Sequence, residues 1–182
     1  MNVRKLVTMA MFAALSIVLV FFIHLPIFPS APYLEYDPAD IPILIGTFAF
    51  GPVAGLILTV VVSVLQWLTV SPQSQVWGAL MHILATGAFA LVAGIIYKKK
   101  KSRTQAAMAL LCGAASMVAV MAVANYIITP IYTGMPREAV AALLVPTIIP
   151  FNIIKAGING LVTFLIYKPI SRILHKGELQ EP

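Results

Sequence analysis

Residues 39–70, "ADIPILIGTFAFGPVAGLILTVVVSVLQWLTV", carry one acid at their start and then thirty residues without a charge, broken once by Gly51-Pro52. Whether this stretch crosses a membrane once or twice decides the fold. Membrane crossing itself follows from composition. Of 182 residues, 60% are hydrophobic and only 10% charged, against about 25% charged in an ordinary soluble domain. The mean hydropathy is +0.97. Apolar blocks run over residues 5–25, 39–50, 52–70, 77–97, 104–128 and 146–168. They are continuous rather than alternating, which argues against a β-barrel and predicts helices that satisfy their own backbone in lipid. The block 39–50 is short, because a full crossing takes about 20 residues.

Charge resolves the count. Ten of the twelve Lys and Arg residues fall in three segments: Arg4-Lys5, Lys98–Lys101 with Arg103, and Lys168, Arg172 and Lys176. Basic segments flank helices on the cytoplasmic side. All three share that side only if residues 39–70 cross twice. The expected fold is therefore all-α, with six transmembrane helices, both termini cytoplasmic and a single transmembrane domain over residues 1–182. Glu35, Asp37, Asp40 and Glu138, four of the six acids, then belong to the external side, and no Asp or Glu is expected inside a span. The charge of +6 reflects orientation in the bilayer rather than nucleic-acid binding. The basic start, apolar run and "PSAPY" resemble a signal peptide, but Leu6–Ile23 exceeds the usual length of about 7–15 apolar residues, so it reads as the first helix.

Two external segments are long enough to do more than connect. Residues 26–40 are proline-rich and hold Tyr33, Tyr36 and three acids; proline fixes φ, so an ordered, non-helical cap over a site is expected between helices one and two. Residues 129–145 form the other. Phosphate-binding glycine loops, zinc signatures and serine-nucleophile elbows do not occur in the sequence, so it offers no catalytic residue and no metal ligand set. Cys112 stands alone and reads as a small buried hydrophobe. Without a mid-span carboxylate to bind a coupling ion, the chain is not expected to drive transport by itself.

The last block, "IIPFNIIKAGINGLVTFLIYK" (148–168), places an ammonium in the membrane. At about 100° per residue, Asn152, Lys155 and Asn159 fall within roughly 60° of one another, a single polar stripe. A central lysine costs about 2.5–3.5 kcal/mol to insert, which marks it as functional or tightly paired; snorkelling to the external surface is the structural alternative. Asn125 and Thr129 can converge with this stripe from helix five. Thr59, Ser63 and Gln66, and His82 with Thr86, read as interhelical packing before ligand contact. Trp67 and Trp77 read as interfacial anchors around the loop 71–76. A set of amides with one ammonium suits a neutral ligand rich in carbonyls and ring nitrogens. In helix one, Ala10 and Ala14 form a small-xxx-small ridge for close helix approach, either by a partner or by a neighbouring span.

Three features carry a family resemblance: Ala10-x-x-x-Ala14; "YLEYDPADIPILIGTFAFGPVAG" (33–55); and Asn152-x-x-Lys155 together with Asn125. With these the chain resembles a substrate-binding S component of the energy-coupling factor (ECF) vitamin transporters, most closely the riboflavin-specific type. The resemblance implies a six-helix, non-enzymatic module of the plasma membrane without a cofactor. Such a module captures riboflavin from outside and passes it inward with a transmembrane coupling subunit and two cytoplasmic ATPases. It implies that Asn125, Asn152 and Lys155 bind the polar edge of the isoalloxazine ring and that Ala10 and Ala14 meet the coupling subunit. Asn159, Tyr36 and Asp40 are added as ligand contacts by position rather than by a family motif. An S component for another vitamin such as folate or pantothenate, a stand-alone channel or carrier, and a small intramembrane enzyme are the alternatives; the last two predict transport or turnover by the isolated chain.

Overall fold

The computed structural model describes residues 3–176; the remaining residues of the expected domain, and the side chain of Lys176, lie outside the described residues. Helix α1 spans Val3–Phe22. A short antiparallel pair follows, β1 (Leu25–Pro26) with β2 (Glu35–Tyr36), and then α2 (Asp40–Phe50), α3 (Pro52–Thr69), α4 (Gln75–Lys99), α5 (Arg103–Thr133), α6 (Arg137–Leu143) and α7 (Ile149–Lys176). Five helical segments are long and apolar enough to cross a membrane, and α2 is a shorter apolar helix beside them. The fifth of these runs from Arg137 to Ile173 and takes in α6, the turn after it and most of α7, so with α2 six helical segments make the bundle.

Residues 39–70 do double back. Gly51, at φ 94°, holds a left-handed backbone that only glycine adopts without strain, and Pro52 opens α3, where its missing donor is no loss. Around this turn the basic segments assemble. The Lys5 ammonium lies 5.5 Å from the Phe50 ring. A cavity of about 250 Å³ is lined by Gly51, Pro52, Lys98 and Lys101. Tyr97 and Tyr167, each beside a lysine, are 5.9 Å apart. At the opposite end, Asp37 and Ser71 share a second cavity, so α2 runs toward the basic end and α3 returns from it.

Helix α2 is the structural pivot. Every residue from Asp40 to Ala49 is buried, as a helix apolar all round requires. Its eleven residues cover only about 16 Å, roughly half a hydrocarbon core. The loop between α1 and α2 therefore enters the bundle to reach it. Non-helical backbone at such depth is tolerated because protein encloses it. The Ser16 hydroxyl of α1 donates to Ala39 O at 3.0 Å, and Ala31 and Leu34 of the loop pack with Val140, Ile148 and Phe151. The loop is thus ordered and mostly non-helical, as its prolines imply.

Residues 129–145, which lie between the apolar blocks of the sequence, are mostly helical. Helix α5 continues through Pro130 to Thr133 and stops at Gly134, whose φ of 72° is a left-handed cap. Helix α6 and a π turn at Leu144–Ile148 then lead into α7. Pro146 and Pro150 remove amide donors around that turn, which favours the irregular ladder. Cys112 is exposed on the outer face of α5 rather than buried: lipid is as apolar as the core, so hydropathy does not tell the two faces apart.

Candidate functional site

The Lys155 stripe faces inward. Asn152, Lys155 and Asn159 are 1%, 6% and 0% exposed. The snorkelling alternative fails because the ammonium has a partner: Lys155 Nζ donates to Asp37 Oδ2 at 2.7 Å. Asp37, read from sequence as an external acid, is 4% exposed, and Asp40 is 0% exposed. The expectation that every carboxylate stays outside the spans is therefore corrected. A buried ammonium without a counter-ion would cost several kcal/mol, on the order of 3–5, and that need was the signal available in the sequence.

Around the ion pair the polar groups are satisfied in sequence. Asp37 Oδ1 accepts from the Ala39 amide at 3.1 Å, at the N-terminus of α2, where the helix dipole favours negative charge. Asp40 Oδ1 accepts from Thr86 Oγ1 at 2.6 Å and Asp40 Oδ2 from Asn159 Nδ2 at 2.9 Å. Asn159 Nδ2 also donates to Asp37 O at 3.0 Å, while its Oδ1 accepts from Tyr36 Oη at 3.0 Å. These contacts fix the amide orientation, since each nitrogen meets an acceptor and the oxygen meets a donor. Burial, and then Asp37, raise the Tyr36 phenol above its ordinary pKa, which keeps that donor protonated. On the far side, Ser63 Oγ and His82 Nδ1 are 2.7 Å apart, and His82 Nε2 stands 3.3 Å from Asp40 Oδ1 without hydrogen-bond alignment.

Asp37, Asp40 and His82 bring ligand-type atoms within 4.8 Å of one another. Lys155 already supplies positive charge to this trio, so it reads as an ion-pair network rather than a metal centre.

Above the network lies a cavity of about 500 Å³, within the range of about 300–1,000 Å³ common for small-molecule sites. Asn152 and Lys155 line it, and so does Asp37. The other expected ligand contacts do not. Asn159, Tyr36 and Asp40 bind one another and hold the Asp37–Lys155 pair. Asn125 is buried and bonds within α5, from Nδ2 to Met121 O at 2.9 Å and at Oδ1 from Thr129 at 2.9 Å. Trp67 and Trp77, on either side of the loop 71–76, line the cavity, and Trp77 stacks on Tyr132 at 6.4 Å. Gln66, Ser63 and His82 line it as well, while Ser63 with His82 and Thr86 with Asp40 make interhelical bonds. Tyr33 closes the rim edge-on to Tyr132 at 6.1 Å; burial, reinforced by Tyr132, pushes its phenol up to about 12. Ala10 and Ala14 are exposed, on the side of α1 away from buried Met9, Phe12, Ala13 and Ser16.

The chain is similar in sequence and fold to known proteins. The family model for the substrate-specific component of ECF transporters matches residues 4–167. The riboflavin transporter RibU of Staphylococcus aureus (strain TCH60) is 35% identical, with 95% of this chain and 93% of the relative covered. The riboflavin transporter FmnP of Bacillus subtilis (strain 168) is 32% identical, with 92% of each covered. A solved S component of a bacterial ECF transporter superposes with a TM-score of 0.80 at 35% identity, over 94% of this chain and 97% of its own. The family match over most of the chain, the relatives at 32–35% identity and the superposition agree: the chain belongs to the substrate-specific components of ECF transporters.

Proposed function

We propose that the chain is the riboflavin-binding subunit of an ECF importer, without enzymatic activity, taking the vitamin into the cavity above Asp37 and Lys155 from the acidic end. The observation that carries this reading is the Lys155–Asp37 pair set in the cavity wall beside Asn152. Because Asp37 neutralises the ammonium, the wall offers directed donors without demanding an anion. That matches an uncharged ring system edged with carbonyls and ring nitrogens. The riboflavin transporters that the chain resembles along most of its length support the choice of vitamin.

The basic end faces the cytoplasm in this reading, both termini with it. There the chain meets a transmembrane coupling subunit through the exposed Ala10–Ala14 ridge, where small side chains permit close helix contact. Cytoplasmic ATPases of the module, two in number, supply the energy. Asn125 joins the ligand contacts if its α5 amide re-pairs on binding; Asn159, Tyr36 and Asp40 act by holding Lys155.

Protein purified in detergent from flavin-containing medium should show a flavin absorption spectrum near one per chain, and the flavin-free protein should quench riboflavin fluorescence. Lys155→Ala or Asn152→Ala should weaken that quenching in a protein that still folds. A colourless protein that fails to quench added riboflavin would leave the fold standing and remove the assignment of the vitamin.

A further inference from the structure

Three short contacts run in line through His82. Ser63 Oγ lies 2.7 Å from Thr59 O and 2.7 Å from His82 Nδ1, and His82 Nε2 lies 3.3 Å from Asp40 Oδ1. The atoms at the two ends of this line, a backbone carbonyl and a carboxylate oxygen, can only accept. Each of the three gaps therefore needs a proton of its own, because lone pairs brought this close repel. The serine hydroxyl supplies one and a neutral imidazole supplies one. The third is a second ring proton, which makes His82 an imidazolium. Ser63 then donates to Thr59 O, Nδ1–H donates to Ser63 Oγ, and Nε2–H points, in bent geometry, toward Asp40. The ring holds this proton rather than Asp40, whose two oxygens already accept from Thr86 and Asn159, since a carboxylate is the weaker base.

Charge counting leads to the same state independently. Asp37 accepts at both oxygens, from the Ala39 amide and from Lys155 Nζ, so it too is a carboxylate. Two buried anions thus face one buried ammonium. An uncompensated charge at such depth is strongly destabilising, and the second ring proton cancels it. Among the described residues, no other group is placed to do so. Helix α4, which carries His82, packs on α2, α3, α5 and the turn Pro72–Ser74. Asp40 comes from α2, whereas the buried faces of α3 and α5 and the turn carry no titratable side chain. Asp37 and Lys155 reach the cluster from the loop and from α7, with the Tyr36 phenol behind them on Asn159; Glu35, Tyr33 and Tyr132 line the cavity that His82 also lines.

The same cavity is lined by Asp37 and Lys155, and Asn159 ties Asp40 to Asp37. With the proton bound, Asp40 is answered by His82 and the ammonium stays on Asp37. Without it, Asp40 competes for the ammonium, and the wall that meets the ligand loses its fixed donor. Resting on the flavin reading above, we propose that His82 is a proton-binding site and a positioning residue: as an imidazolium it holds Asp40, keeps Lys155 on Asp37, and so makes riboflavin affinity depend on its second proton.

The test reads the proton and the affinity separately. His24→Gln with His175→Gln leaves His82 as the single histidine of the full chain. Ring-¹⁵N labelling of that protein in detergent reports how many ring nitrogens carry hydrogen, from about pH 5 to about pH 9. Two should do so at the acidic end and one at the alkaline end. Riboflavin quenching titrations over the same range should show affinity falling about tenfold as the second proton leaves, the loss of one charge-assisted bond. Because such coupling is reciprocal, saturating riboflavin should keep both ring protons at pH values where the empty chain has lost one. His82→Gln, neutral at every pH, should bind about tenfold more weakly than the unaltered chain at the acidic end, with a flat profile. A ring with one proton throughout overturns the proton site. Two protons throughout, or a loss of the second that leaves affinity unchanged, overturns the coupling, as does a pH dependence that survives in His82→Gln. Should the unaltered chain bind no riboflavin at any pH, the flavin reading fails and the coupling with it, while the nitrogen spectrum still decides the proton site.

Discussion

The two ends of α2 are held by different physics. At its start, Asp40 enters a network of directed bonds with Thr86, Asn159 and, through Asn159, Asp37 and Tyr36. Near its finish, Phe48 stacks on Tyr97 at 4.2 Å and meets Tyr167 edge-on at 5.4 Å. Both ends are buried, yet only the first adjoins the large cavity. Directed bonds fix individual atoms, as recognition needs, and fail badly when one partner is lost. Aromatic packing fixes the helices against one another and tolerates change in any single atom. The difference separates stability from binding, and substitutions can test that separation.

The largest effect is expected where a charge loses its partner. Lys155→Met should cost about 3–5 kcal/mol, because the Asp37 carboxylate stays buried without its counter-ion; unfolding in detergent, followed by loss of helical circular dichroism, would measure it. Adding Asp37→Asn should recover most of that stability without recovering riboflavin binding. A double variant as unstable as the single one would mean that the pair does not organise this end. At the aromatic end, Phe48→Ala should cost about 3 kcal/mol through the cavity it leaves, with riboflavin affinity unchanged. Coupled loss of affinity there would erase the distinction between the ends.

Smaller effects sharpen the contrast. Thr86→Val removes one donor to Asp40 and should cost about 2 kcal/mol, the range of a hydrogen bond to a charged group. Because Asp40 orients Asn159 and through it the loop, riboflavin affinity should fall severalfold as well. The smallest effect on the isolated chain is expected outside the bundle: Ala10→Leu with Ala14→Leu should shift stability by no more than about 0.5 kcal/mol and leave binding alone, yet abolish uptake in cells with the complete transporter. Normal uptake would remove the ridge from the partner interface.

The sequence by itself determined the helical membrane class, the doubling back of residues 39–70 and the inward stripe on α7. Each follows from a local quantity: composition, the placement of lysines and arginines, or a repeat of 3.6 residues. It also marked Lys155 as exceptional, because an ammonium among apolar residues is costly wherever the chain leads. Tertiary structure decided who answers that charge. Asp37 lies 118 positions away, and only the dip of the first loop onto a half-length α2 brings it inside. The same packing decided that Asn159, Tyr36 and Asp40 bond one another, that Trp67 and Trp77 face the cavity, and that Ala10, Ala14 and Cys112 face outward. In a bilayer the core and the solvent are both apolar, so hydropathy carries no inside-outside signal across a helix. Which face is buried is settled by shape and by polar pairs that close only when distant segments meet.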